Sequence, residues 1–209
     1  MTTPTDRSRP MPQTQRAPRS LAWLLLVGGL IGLAAAATLL IEKIELIKDP
    51  NYIPTCSLNP VMACGSVMKS WQAEVFGLPN PVIGIAAFGM VIATGAALLA
   101  GARMARWFWL AFLAGTAFGA VLVTWLAHQS LYTIGTLCPY CMVVWTVTIP
   151  IFFFTAAHVL SGRDQDPDVE PSGVGGFVHD FRWVLTLFWF GLVIALILVR
   201  FWYYWSSLI

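Results

Sequence analysis

Five uncharged apolar runs punctuate the chain, at residues 21–41, 82–102, 107–127, 139–160 and 183–199. A helix needs roughly 20 apolar residues to cross a bilayer. The first four runs meet that length and the fifth falls slightly short. None alternates apolar and polar residues in the way of a barrel strand, so each predicts a transmembrane helix. The fold class is therefore all-α integral membrane. The polar connections differ in kind. Residues 1–20 are rich in Pro, Thr, Gln and Arg and are expected to be a disordered tail. Residues 101–106 make a tight basic turn, 128–137 a short polar link, and 161–182 an acidic linker rich in Gly and Pro. Residues 42–81 form the longest polar connection. Within it Val67, Met68, Trp71, Val75 and Phe76 recur at three and four, which predicts an amphipathic helix over 66–76. It is too short to span. It should lie at the interface over the bundle, with Lys69, Gln72 and Glu74 turned to water or headgroups. Arg200 should snorkel at the end of the fifth helix, where the aromatic cluster 201–205 would form a belt.

Composition agrees with this reading. Only 11% of the residues are charged, against about 25% in a soluble domain. The net charge of +2 is too small to suggest a nucleic-acid partner. Its distribution carries more. With the N-terminus in the cytoplasm, the inner segments hold Arg7, Arg9, Arg16, Arg19, Arg103, Arg106, Arg163 and Arg182, and the outer ones Lys43, Lys48, Lys69 and Arg200. That imbalance follows the positive-inside rule. The first run is long for the apolar region of a secretory signal, and its removal would leave the next loop on the same side.

The orientation places Cys56 and Cys64 in the first outer loop and Cys138 and Cys141 where the fourth helix enters from that side. All four sulfurs then share the oxidising face, where disulfides persist. Cys138-Pro139-Tyr140-Cys141 puts two sulfurs on one helix face. Pro139 suits the first helical position and makes Cys138 the N-cap. The positive end of the helix favours a thiolate there and so activates the pair. A passive crosslink across so short a loop would stabilise little. A metal site is the other alternative, but seven residues separate Cys56 from Cys64, too many for a zinc knuckle. The loop pair is either a staple or a mobile dithiol. Exchange between two neighbouring pairs needs only a thiolate and a disulfide in reach.

Three motifs together, Cys56-x7-Cys64-Gly-Ser-Val, Phe76-Gly-Leu-Pro-Asn80-Pro-x-x-Gly84 and Cys138-Pro-Tyr-Cys141, give a more specific signal. On them the chain resembles the vitamin K epoxide reductase family, in particular its bacterial disulfide-forming members. The likeness runs from about residue 21 to 160. It implies a four-helix bundle around a quinone, menaquinone or ubiquinone, with the fifth helix and the interfacial helix as additions. It implies that Cys141 reacts with the quinone, Cys138 exchanges with Cys64, Cys64 with Cys56, and Cys56 with a partner thiol. Asn80 matches the position that hydrogen-bonds a quinone carbonyl, although an Asn between two prolines could also cap the helix. Met68, Phe76 and Trp71 could roof the site. Trp145 stands where vertebrate relatives carry a Tyr, and is a candidate contact whose change makes epoxide reduction and inhibitor sensitivity doubtful. His128 could relay a proton, while His158 and His179 carry no assignment.

The expected organisation is a cytoplasmic tail (1–20), a catalytic core (21–160), a cytoplasmic linker (161–182) and a fifth helix with a short outer tail (183–209). Many relatives continue into a thioredoxin-like domain. This chain ends soon after its fifth helix, so a separate extracytoplasmic thioredoxin-like protein is the expected partner. The expected activity is a quinone-linked thiol oxidoreductase of the inner or plasma membrane, without a metal, that reoxidises that partner. Reduction of vitamin K epoxide or quinone for its own sake uses the same cysteines. A membrane protein with merely structural disulfides is the non-enzymatic reading.

Overall fold

In the computed structural model the described residues are 14–15, 17–161 and 173–206. Five helices are long and apolar enough to cross a membrane. They are α1 (Arg19–Lys48), α3 (Asn80–Leu99), α4 (Arg106–Gln129), α5 (Pro139–Leu160) and α6 (Gly173–Arg200). Two short helices, α2 (Cys64–Lys69) and α7 (Trp202–Ser206), lie outside this set. A π-helical turn, Ser130–Ile134, prolongs α4. Strand β1 (Thr14–Gln15) pairs antiparallel with β2 (Met104–Ala105). The tail expected to run disordered to Ser20 is thus ordered at this pairing and from Arg19, while residues 1–13 lie outside the described residues.

Helices α1, α3, α4 and α5 form the bundle, and α6 packs on α5. The closest pair is α1 with α3. Small residues allow it, because helices in lipid associate by close packing rather than by escaping water. A Cβ on Gly95 would stand 2.7 Å from the Leu26 nitrogen, and one on Gly29 would stand 2.7 Å from Ile92. The ring of Phe88 fills the space that a side chain at Gly32 would need. By contrast α3 and α4 scarcely touch, and a cavity separates them.

Two boundaries depart from the apolar pattern. At 30 residues α1 would reach about 45 Å, well beyond a hydrocarbon core of about 30 Å. Its last turns, with Glu42, Lys43, Glu45 and Lys48, therefore stand over the cysteine end of the bundle. Helix α6 begins at Gly173, inside what the composition marked as linker, because its first turns are helical although they are rich in Gly and carry His179, Asp180 and Arg182. At its other end Arg200 does not act as a free interfacial anchor: its Nε–H donates to the Leu131 carbonyl at 3.1 Å. Phe201 is buried rather than part of a belt, whereas Trp202 and Tyr203 are exposed.

The interfacial helix is also different. Ser70 adopts an extended conformation (φ −77°, ψ 151°) and divides it into α2 and a 3-10 turn, Trp71–Glu74. The break resets the helical period. Gln72, expected on the wet face, is buried, while Trp71 and Phe76 are exposed.

Candidate functional site

Two chain segments bring the cysteines together. Before Cys64 runs Val61-Met62-Ala63, and before Cys138 runs Leu137. The Leu137 N–H donates to the Val61 carbonyl at 2.8 Å and the Ala63 N–H to the Leu137 carbonyl at 3.0 Å. This parallel bridge sets the register of two segments far apart in sequence. Asn59 supports it by accepting from the N–H groups of Val61 and Met62. Gly135 takes the left-handed conformation (φ 73°) that turns the chain out of the π-helical segment toward Cys138. Cys138 is the N-cap of α5 and Pro139 its first residue.

Cys56 and Cys64 are joined in a disulfide, and Cys138 and Cys141 are free thiols. The Cys64 and Cys138 sulfurs stand 3.1 Å apart. The sulfurs of Cys56, Cys64 and Cys138 all lie within 4.8 Å of one another. They sit in an apolar cluster with Leu39, Leu46 and Met68, partly covered by Tyr52, Val67 and Tyr140. The hydrogen bond from the Cys141 thiol holds the Cys138 thiol below its ordinary pKa, and the N–H groups of Cys141 and Tyr140 add to this against the opposing effect of burial. Cys138 is thus the sulfur best suited to carry charge.

The loop bearing Cys56 is tied to α1 by a buried carboxylate. Glu42 accepts from the Tyr52 hydroxyl at 3.1 Å, from the Thr55 N–H at 3.2 Å and from the Thr55 hydroxyl. The hydrogen bond to Glu42 raises the pKa of Tyr52, since ionisation would remove the donor and set two anions together.

Below the sulfurs lies a cavity of about 660 Å³ between α1, α3, α4 and α5, roofed by α2 and the 3-10 turn. Its polar groups gather at the cysteine end, from Lys43, Gln72, Asn80, Ser130 and Cys141. Farther down it is walled by apolar and aromatic side chains, with Trp107, Phe108 and Phe112 among them. Thr94, Thr116 and Thr148 also line it, but each hydroxyl donates to a carbonyl of its own helix.

The structure distributes the candidate contacts unevenly. Met68, Asn80 and Trp145 line the cavity. Phe76 does not; it packs on Phe118, which does. Trp71 leans on Trp125, outside the cavity wall. His128 stacks on Tyr132, away from the cavity, and gains no geometric case as a proton relay. Asn80 makes no helix-capping bond: its Nδ2 donates to the Gln72 carbonyl at 2.7 Å, and its Oδ1 is buried without a partner. A buried, unpaired amide oxygen costs about 1–3 kcal/mol, so this group suits a ligand that can satisfy it. Gln72 and Lys43 were not singled out by the apolar pattern. Gln72 donates to Gln129 at 3.3 Å, and Lys43 ties the roof to α1 through the Met68 carbonyl at 2.7 Å and Glu74 at 2.8 Å. No periodic signal marks either: Gln72 turns inward only because the roof segment breaks at Ser70, and Lys43 meets the roof only because the last turns of α1 extend over it.

A family model, the vitamin K epoxide reductase family, matches residues 23–156, and the chain belongs to that family. No curated protein matches the chain. The match spans the four-helix bundle and all four cysteines. Together they make this a multi-pass membrane protein of a thiol oxidoreductase family associated with quinones.

Proposed function

We propose that this member of the vitamin K epoxide reductase family carries electrons from a dithiol partner protein to a membrane quinone. The observation that supports this most is the line of sulfurs that ends on the cavity. Cys56 and Cys64 are bonded, Cys64 meets Cys138 at 3.1 Å, and Cys141 forms part of the cavity wall.

The sequence of exchanges balances as follows. A partner thiolate attacks Cys56, and Cys64 leaves as a thiolate. The partner's second thiol closes the partner's own disulfide and frees Cys56. Cys64 then attacks Cys138 of a Cys138–Cys141 disulfide, and Cys141 leaves as a thiolate on the cavity side. Cys56 attacks Cys64, which restores the Cys56–Cys64 disulfide and releases Cys138. The arrangement of one disulfide and two free thiols seen here is the product of that last step, with both electrons beside the cavity. Finally Cys138 and Cys141 close as a disulfide, giving up two electrons and two thiol protons.

Residues present fit a quinone head. The second Nδ2–H of Asn80 would donate to a carbonyl oxygen of it, and the unpaired Oδ1 would accept from the hydroxyl of its reduced form. Met68 and Trp145 would flank it, and the apolar walls would take its chain. A quinone bound there accepts two electrons and two protons. The gap between α3 and α4 offers an apolar tail a way to the lipid. The basic residues favour placing the cysteine end outside the cytoplasm, which suits an extracytoplasmic thioredoxin-like partner, and benzoquinone and naphthoquinone heads both suit the cavity.

The test is quinone reduction by the full-length chain in lipid nanodiscs, followed by absorbance, with a reduced thioredoxin-like protein as donor. Wild-type protein should turn over, and Cys141→Ser should abolish quinone reduction while still exchanging disulfides between its remaining cysteines and the donor. Equal quinone reduction by Cys141→Ser would overturn the assignment.

A further inference from the structure

The fifth helix reaches the sulfur exchange site itself. At the cysteine end of α6, Ile197 and Phe201 are buried in one cluster with Val61, Leu131 and Leu137. Val61 and Leu137 are the residues whose backbones bridge the two cysteine segments. Arg200 addresses the same place by a different interaction. The π-helical turn sends the Gly135 N–H back to the Ser130 oxygen at 3.0 Å. That leaves the Leu131 carbonyl, near the end of the helix, to a donor from elsewhere. Arg200 Nε–H supplies it at 3.1 Å. The Ser130 hydroxyl then holds the Thr136 carbonyl at 2.8 Å, one residue before Leu137. Neither Arg200 nor Phe201 lies in the region that the family model matches, residues 23–156.

We infer that Arg200 and Phe201 are positioning residues for exchange between Cys64 and Cys138, so that the fifth helix is part of the redox site. The physical reason is the location of the bridge. It consists of two backbone hydrogen bonds in a connection between helices, where a loop is free to shift. The Cys64 and Cys138 sulfurs must meet within bonding reach for one to attack the other, and misplacement by about 1 Å can slow such a step about a hundredfold. The apolar side chains of α6 press Val61 and Leu137 together, and Arg200 fixes the turn that leads into Leu137. This inference rests on the reading of Cys64 and Cys138 as exchange partners, and not on the quinone or on the donor.

The experiment uses the full-length chain in nanodiscs with Cys56→Ser and Cys141→Ser, which leaves Cys64 and Cys138 as the only thiols. In a glutathione buffer, oxidised glutathione takes two electrons from the pair, yielding the Cys64–Cys138 disulfide and two reduced glutathiones. The equilibrium constant reads how well the sulfurs are placed. Arg200→Met and Phe201→Ala should each lower it about tenfold, Arg200→Lys should stay within about threefold of the parent, and lipid-facing Val199→Ala should leave it unchanged. A parental value in Arg200→Met, in protein that unfolds at the parental temperature, overturns the inference. Should Phe201→Ala fail to fold, the Met and Lys variants at Arg200 decide it alone. A parent that forms no disulfide at all would sink the exchange reading beneath both proposals. A parent that forms it, from a wild type that reduces no quinone, would sink only the proposed function.

Discussion

At the scale of single residues, the site separates charge from electron delivery. Cys138 takes a hydrogen bond from Cys141 and so holds its negative charge more readily than an ordinary thiol. In reduced protein, the midpoint of Cys138 alkylation against pH should therefore lie below that of an ordinary thiol. Removing the donor should reverse this: Cys141→Ala should raise the midpoint of the Cys138 alkylation profile, and Cys141→Ser, which keeps a hydroxyl, should raise it less. Mass-spectrometric counting of alkylated Cys138 against pH measures both. Asn80 is the other residue whose chemistry is exposed by its surroundings, because its buried Oδ1 lacks a partner. Asn80→Ala should weaken quinone use about tenfold, as the loss of one hydrogen bond of about 1.4 kcal/mol would. The approach of Cys64 to Cys138 should be untouched, so the glutathione equilibrium provides the control.

At the scale of elements, two devices govern how the segments meet. The first is the packing of α1 on α3. Gly95 faces the Leu26 nitrogen and the Ala22 carbonyl so closely that a side chain has no room. Gly95→Val should destabilise the bundle by about 1–3 kcal/mol through overpacking, visible as a lower unfolding temperature in detergent. The second is the hold of Glu42 on the Cys56 loop. Cys56 is buried in the oxidised pair, so the proposed thiol partner would reach it only when residues 52–58 move. Glu42→Ala removes the acceptor of three hydrogen bonds and should loosen the loop. Hydrogen exchange at Thr55 should rise at least severalfold, since a local opening needs less free energy there. Unchanged protection would show that the apolar cluster alone keeps the loop closed.

At the scale of the molecule, the cavity has a polar end and an apolar end, and the sulfurs lie over the polar one. The sulfurs, Lys43, Gln72 and Asn80 share the end over which α1 projects. His158 packs on Trp109 within 4.4 Å, well removed in the chain from the redox segments. If the cysteine end faces outward, a membrane-impermeant maleimide should label reduced cysteines in intact cells, and labelling only after lysis would reverse the orientation. The cavity opens between α3 and α4 because these helices are joined through their packing on α1 and α5 rather than on each other.

The apolar runs by themselves determined that the chain spans a membrane five times, because length and hydropathy suffice where backbone hydrogen bonds must close internally. They also located α5 at Pro139–Leu160, where Pro139 and the cysteine N-cap mark its start. The cysteine spacing and the Asn80 motif were enough to indicate the family. The family resemblance implied that Cys64 exchanges with both Cys56 and Cys138, but only the tertiary structure shows what brings those sulfurs together, since the bridge of Val61 and Ala63 with Leu137 joins segments distant in sequence. It alone turned Gln72 inward, because one extended residue, Ser70, interrupts a period that the pattern carried through. And it alone brought Arg200 and Phe201 to the redox site, for burial and a hydrogen bond to a distant carbonyl depend on which helices are neighbours, and no local pattern records that.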